Sequence, residues 1–394
     1  MDALEVQKEP AMEKLNKKEK KSKRKAPNSV QQVTKTRDKQ PDLWVGMDLG
    51  DRSSHYAVLD EEGNCLYERT TPTTKKGMNQ VFGALSRCRI AIEVGSHSPW
   101  ISRQLTKLGH DVFVANPRQL KLIAQSTRKD DRMDAYTLAR LVRADPELLR
   151  PIQHRGENAQ EHMAIIRTRA ALMETRTKLI NTARGITKSF GERLASCDAD
   201  YATPNRMAEE LAALPEVARE SITKLLEMAA ITTAQIRALD EKVKQVARQK
   251  YPETARLTQV SGVGELTALT FVLTIDDAAR FARSRDAGCY VGLRPKRRDS
   301  GQRQPQLGIS KEGDRYLRKL LVQSAHCILG RKSPDSDLKR WGLKLAGQGG
   351  KNAKKRAVVA VARKLAVLLH RLWVSGEKYE PLRNANRQQM KSAA

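Results

Sequence analysis

Apolar and polar positions change rhythm several times along the chain. Leu43-Trp44-Val45-Gly46-Met47-Asp48-Leu49-Gly50 reads as a short apolar strand with an acid near its end. His55 to Asp60 is a second strand, Glu61-Glu62-Gly63-Asn64 a turn, and Cys65 to Thr70 a third strand. Cys88 to Val94 is a fourth, apolar enough for burial on both faces. Pro99 opens a helix reaching about Leu108, and Asp111 to Ala115 is a fifth strand. A short helix after Asn116-Pro117 and a longer one over about Asp131 to Arg143 complete this region.

Three meander strands followed by alternating helices and strands give the element order of ribonuclease-H-like α/β folds. Such a fold is a mixed five-stranded sheet with helices on its faces. From about 157 to 250 the strand signal vanishes. Ile165, Leu172, Leu179 and Ile186 recur every seven residues, and Ile236, Leu239, Val243 and Val246 form a second stripe. Thr203-Pro204-Asn205 breaks the region. The pattern predicts long helices, as an antiparallel pair or an oligomerising coiled coil, although Thr168, Thr175 and Thr182 stand where a second apolar row belongs. From Tyr251 the chain is compact and helical. Val260 to Leu269 has the glycine-turn-helix form of a helix-hairpin-helix element, in which backbone N–H groups near Gly262 and Gly264 can hold a phosphate or simply form a turn. Tyr290 to Pro295 leads into a polar loop from Lys296 to Gly308, then helices through His326, and Val358 to Trp373 is a further amphipathic helix. The expected organisation is a basic arm without a core over 1–40, an α/β domain over 41–156, a helical region over 157–250, an all-α domain over 251–380 and a basic tail over 381–394.

Charge changes the picture most. Of 394 residues, 73 are Lys or Arg and 45 are Asp or Glu, a formal net charge of +28. A polyanionic partner, DNA or RNA, is the default expectation. The longest apolar runs fall short of the about 18 residues a membrane span requires, and the early charge run Lys17 to Lys25 is no signal peptide. Five cysteines without a CxxC pair, and seven histidines without zinc spacing, point to a reduced, cytoplasmic chain without structural zinc.

Four carboxylates carry the candidate chemistry. Asp48 ends the first strand, Glu93 ends the fourth, and Asp131 and Asp134 sit at i and i+3 on one helix. In the expected sheet the first and fourth strands are neighbours and the late helix crosses the same end. Acids gathered there repel one another unless cations neutralise them. Two Mg²⁺ ions about 4 Å apart would stabilise both oxygens of a phosphoryl transfer. Singly, each acid is more often a solvated strand end or a helix-dipole charge; it is the joint placement of four on a matching topology that points to catalysis, and Asp130 competes as a ligand.

The chain resembles the DEDD transposases of the insertion-sequence 110 family, including its 1111 subgroup. The matching pieces are Val45 to Gly50, Ala91 to Ser96, Asn116 to Gln119 and Lys129 to Ala135, then Gly262-Val263-Gly264, Gly292 to Pro295, Asp299-Ser300-Gly301, Ile309 to Asp314 and Leu317-Arg318. They span about residues 43 to 380 in order. The resemblance implies a RuvC-like catalytic domain, a linking coiled coil and a transposase domain. It maps the D-E-D-D set onto Asp48, Glu93, Asp131 and Asp134, and a serine nucleophile onto Ser300. The position before Asp131, often Thr or Asn in the family, is Asp130 here.

It further implies a bacterial recombinase, cytoplasmic and at the nucleoid when on DNA, guided to donor and target DNA by a structured bridge RNA. It implies homo-oligomers, dimer or tetramer, in which the acids of one protomer meet the serine of another. Ser300 lies among Arg294, Lys296, Arg297, Arg298 and Arg303, cations able to favour an alkoxide and steady phosphorane charge; without the resemblance, Asp299-Ser300-Gly301 reads as an ordinary surface turn. Arg294, Arg297, Arg298, Lys311, Arg315 and Arg318 are candidate phosphate contacts or a plain solvated face. Two other classes stay open: a RuvC-like nuclease that hydrolyses branched DNA without Ser300, and a nucleic-acid-binding protein with inert acids.

Overall fold

The structure, a computed structural model, describes residues 43–116, 131–298, 300, 305 and 307–384. The basic arm, the short helix expected after Asn116-Pro117, Asp130, Asp299 and Arg303 lie outside the described residues. The chain divides into two compact units, 1–154 and 155–394.

The first unit is built on five strands: β1 (Trp44–Asp48), β2 (Ser53–Leu59), β3 (Cys65–Pro72), β4 (Arg89–Glu93) and β5 (Asp111–Ala115). Their order across the sheet is β3-β2-β1-β4-β5. β2 is antiparallel to β1 and β3, whereas β1, β4 and β5 run parallel. Alternation of side chains sends the two faces to different helices. Val45, Met47, Tyr56, Val58, Ile90 and Ile92 pack with Met78 and Phe82 of α1 (Lys75–Phe82) and Ile101 and Leu105 of α2 (Ser98–Lys107). The other face packs against α3 (Asp131–Ala144).

On that second face the sheet offers small residues. Ala57, Gly46 and Ala91 form one cross-strand row. A Cβ on Gly46 would overlap the Ala135 carbonyl and the Ala139 amide. The helix backbone therefore rests directly on β1, with Ala135, Leu138, Ala139 and Val142 forming its buried stripe. Arg132 near the helix start bonds Glu68, while Arg143 near its end donates to the Glu61 carbonyl in the β2–β3 turn. α3 thus runs opposite to β1, and its first turn lies at the Asp48 end.

The eight residues of α1 carry little apolar pattern, so the helix has no sequence signal of its own; Thr74 caps it by accepting from the Gly77 N–H (3.1 Å), and Met78 and Phe82 bury one turn apart.

The second unit begins with α4 (Glu157–Ser189) and α5 (Glu216–Lys250). Met163 and Ile166 near the start of α4 pack with Val243 and Ala247 near the end of α5. Ile180 and Ala183 pack with Ile222 and Leu226. The two helices are therefore antiparallel. The seven-residue stripe Ile165, Leu172, Leu179 and Ile186 is only half-buried, and Thr168, Thr175 and Thr182 are exposed. The buried face is one residue round: Met163, Ile166, Arg176, Ile180, Ala183 and Thr187. Polar ties reinforce it, Arg169 with Asp240 and Arg176 with Asp200. The break is wider than Thr203-Pro204-Asn205 and spans residues 190–215, including the short helix Ala208–Ala212.

The rest of this unit packs α6 (Glu265–Ile275), the short helix Arg285–Tyr290, α7 (Arg315–Leu329), α8 (Asp337–Gly347) and α9 (Ala353–Ser375) around one core. α6 also packs on α4 and α5 through Leu269 and Leu273, so the helical pair and the C-terminal helices share one unit. The start of the basic tail is anchored: Asp337 N–H donates to the Pro381 carbonyl (2.8 Å), and Asn384 N–H donates to Asp337 (2.7 Å).

Gly46→Val should lift α3 from the sheet and cost about 1–3 kcal/mol or more, the penalty of forcing methyl groups into a packed core. Urea unfolding of the variant against the parent checks this.

Candidate functional site

Asp48 follows Gly46 by two residues, and Glu93 follows Ala91 by two. Both acids therefore share the α3-facing side of the sheet with the small-residue row. Met47 pairs with Ile92 in register, so Asp48 and Glu93 stand one step further, at neighbouring ends of parallel strands. Asp131 opens α3, and Asp134 precedes the Ala135 that rests on Gly46. The structure thus brings Asp48, Glu93 and Asp134 to one end and one face of the sheet, all half-buried; the Asp131 side chain is not among the described ones. No three His, Cys, Asp or Glu side chains converge as a metal-holding group among the described residues.

Buried polar ties fix the loops beside both strand ends. Thr73 hydroxyl donates to the Gly50 carbonyl (2.9 Å) and contacts Ser54 Oγ (2.8 Å), pinning the turn after Asp48. Ser98 Oγ accepts from Gly95 N–H (3.0 Å) and donates to the Gly95 carbonyl (2.8 Å), closing the turn after Glu93. Cys88, just before β4 at the opposite end of the strand from Glu93, is no competitor as a nucleophile: burial pushes its thiol up to about 12.

Ser300 lies in the other unit, exposed, on a hairpin-like excursion. Its legs are the segments around Arg294 and Ser310. Pro295 bridges Ile309, Lys296 N–H donates to the Gly308 carbonyl (2.9 Å), and Ser310 N–H donates to the Arg294 carbonyl (2.8 Å). Gly292 (φ 73°) and Gly313 (φ 74°) let the two bases of the legs meet: a Cβ on Gly292 would overlap the Glu312 backbone, and one on Gly313 the Tyr290 carbonyl. Separate sequence pieces, Gly292-Leu293-Arg294-Pro295 and Lys311-Glu312-Gly313-Asp314, are thus one clasp. Arg294, Lys296, Arg297 and Arg298 are exposed around it, with Arg294 3.9 Å from Glu312.

The candidate phosphate contacts divide. Arg297, Arg298, Lys311 and Arg315 project into solvent. Arg318 instead donates to the carbonyls of Val291 (3.0 Å) and Glu312 (2.6 Å), cross-bracing the clasp. Gly262 (φ 83°) turns against α7, where a Cβ would crowd Ser324 and Cys327, so packing accounts for it. Gly264 faces open space at the start of α6. That helix start already has an anion beside it, Glu265, which Arg248 holds at 2.9 Å.

Several residues escaped the sequence. Asp314 caps α7 through the N–H groups of Tyr316 and Leu317 (2.9 Å each) and pairs with Arg167 (3.0 Å) of α4. A groove of about 660 Å³ beside α8 and α9 is lined by Trp341, Tyr379, Lys344, Lys364 and Lys378. Lys364 holds its ammonium 3.8 Å from the Trp341 ring centre, and burial lowers its pKa. These residues are far apart in sequence, and no local pattern gathers them. No helix among the described residues is long and apolar enough to cross a membrane.

Known proteins match both halves of the chain. A family model described as a DEDD transposase of the IS110 type matches residues 45–190, and another, described as Transposase IS116/IS110/IS902 family, matches residues 254–339. The transposase for insertion sequence element IS1111A of Coxiella burnetii (strain RSA 493 / Nine Mile phase I) is 28% identical over 338 residues, 85% of this chain and 90% of that one. The transposase for insertion sequence element IS1328 of Yersinia enterocolitica is 28% identical over 330 residues, 82% of this chain and 94% of that one.

Arg318→Ala should lower the melting temperature, because two carbonyls lose their donor, at about 1–3 kcal/mol. Arg297→Ala and Arg298→Ala should stay within about 0.5 kcal/mol of the parent, yet each should flatten the log–log salt dependence of DNA binding by about one unit. Thermal melts and binding isotherms at several salt concentrations separate the two roles.

Proposed function

The chain belongs to the insertion-sequence 110 family of transposases, and from that premise we propose that it cuts and rejoins DNA through an acidic metal site and a serine nucleophile. The observation that carries this reading is the gathering of acids from β1, β4 and α3 at one end and one face of a sheet ordered β3-β2-β1-β4-β5. That order supports a RuvC-like identity for the first unit.

Carboxylate oxygens are the donors Mg²⁺ takes, and Asp48, Glu93, Asp131 and Asp134 are the residues that would hold it. Bound there, the metal supplies Lewis-acid stabilisation of the charge on a transferring phosphoryl group. Ser300 acts from the second unit. Its Oγ gives up a proton and attacks phosphorus, the bond to O3′ breaks, and the departing oxygen takes a proton to become a 3′ hydroxyl. The 5′ phosphate remains esterified to the serine. A 3′ hydroxyl from another strand reverses the step and regenerates Ser300, so bond energy is conserved without ATP. Arg294, Lys296, Arg297 and Arg298, exposed and close to the serine in sequence, would supply positive charge that favours its ionised form and the phosphorane.

The acids and Ser300 belong to different compact units, which suits an oligomer, dimer or tetramer, whose sites combine the acids of one protomer with the serine of another. A bridge RNA that pairs with donor and target DNA is the guide in this reading; the surplus of +28 supports room for several polyanions at once.

Incubated with DNA carrying the element's ends, Mg²⁺ and the RNA that copurifies, the parent chain should form a protein–DNA adduct stable to denaturant. Ser300→Ala should abolish it, and Asp48→Ala should lower it by at least about a hundredfold, on the scale of losing catalytic charge stabilisation. Cleavage that persists in Ser300→Ala without adduct would instead favour hydrolysis by water.

A further inference from the structure

The acid row does not stop at β1. Asp48 pairs with His55 on β2, and His55 pairs with Thr70 on β3. Cross-strand partners point to the same face. His55 lies two residues from Ala57, which joins Gly46 in the row under α3, and Thr70 lies two residues from Glu68, which bonds Arg132 of α3. Glu93, Asp48, His55 and Thr70 therefore form one line across four strands on the helix-facing side. Acids occupy its parallel half, and hydrogen-bond donors occupy its antiparallel half.

Above the donor half is a cleft of about 230 Å³, lined by His55, Thr70, Arg132 and Ala135 among others. Glu68 accepts from Arg132 Nε (3.0 Å) and Nη2 (2.6 Å), which fixes the plane of the guanidinium. Glu68 stands one row back from Thr70, opposite Ala57, and also lines the cleft, where its carboxylate is taken up by Arg132, while Arg69 adds a further cation to the lining. An imidazole, a hydroxyl and an oriented guanidinium around a small cleft are the donor set of a phosphate site. Each strand step moves about 4.8 Å from Asp48, so the cleft lies beside the acids and not among them.

Resting on the acid-site reading above, we propose that His55, Thr70 and Arg132 form a subsite gripping the DNA phosphodiester next to the one being cut. They are positioning residues. By holding the neighbouring phosphate they fix which phosphorus lies over Asp48 and Glu93, and hence the position of the cut within the strand.

The test is single-turnover cleavage by the full chain, with Mg²⁺ and copurified RNA, of element-end DNA in which one flanking phosphate at a time is a neutral methylphosphonate. Thr70→Val and Arg132→Gln should each slow cleavage of native DNA about tenfold to a hundredfold, the loss of a hydrogen bond to a charged group. One particular methylphosphonate should slow the parent to a similar degree and slow the two variants little further, because the contact is already gone. Thr70→Ser should restore the parent rate and its sensitivity to that position, which separates a lost hydroxyl from a damaged fold. Equal slowing of parent and variants by every neutral linkage would overturn the subsite while leaving the acid site standing. Asp48→Asn that cleaves like the parent would remove both.

Discussion

The seat of α3 on β1 is the contact on which the rest of the first unit depends. Gly46 has no side chain, Ala57 and Ala91 flank it, and Ala135 and Ala139 meet it from above. Only with such small residues can a helix backbone rest on a sheet at this distance. The consequence is chemical as well as structural. Asp134 is fixed next to Ala135, Asp48 is two residues from Gly46, and Glu93 is two residues from Ala91. A packing constraint in the core thus sets where three carboxylates go, and polar ties through Thr73 and Ser98 hold the loops at their edge.

Much of this was legible in the sequence. The five strands, α2 and α3 follow from apolar runs and alternation, and their ends agree with the structure to within a few residues. The acids were visible because Asp48 and Glu93 end strands and Asp131 and Asp134 share the first turn of a helix, positions that a linear pattern records. The seven-residue stripe of α4 misled, because it marks the half-buried shoulder and not the contact face. The true face includes Arg176, buried against Thr233, which is distant in sequence, and Thr187, whose hydroxyl donates to the Ala183 carbonyl one turn back; a rule based on apolar residues passes over both. The row from Glu93 to Thr70 was invisible for a related reason: it exists only in cross-strand register, which no single strand encodes.

The second unit shows how a conformational demand can imitate a binding motif. Gly262, Gly292 and Gly313 all have positive φ, and each lies where a Cβ would meet the backbone or side chains of a neighbouring segment. Arg318, a cation in a basic chain, is used on carbonyls. The candidate phosphate contacts that face solvent lie on the outer surface of the clasp, Arg297, Arg298, Lys311 and Arg315, with Ser300 among them in sequence. The charge of +28 is therefore not uniform in purpose: part of it braces the fold, part pairs with acids, and part faces outward beside the serine.

The central claim is that the acids at the end of β1 and β4 act together as a cation site. Titrating the full chain with Mn²⁺, followed by electron paramagnetic resonance of the free ion, tests it without needing a DNA substrate. The account predicts Mn²⁺ uptake by the parent that is displaced by Mg²⁺ and lost in both Asp48→Asn and Glu93→Gln, while Ser300→Ala binds as the parent does. Uptake unchanged by either acid substitution would contradict it.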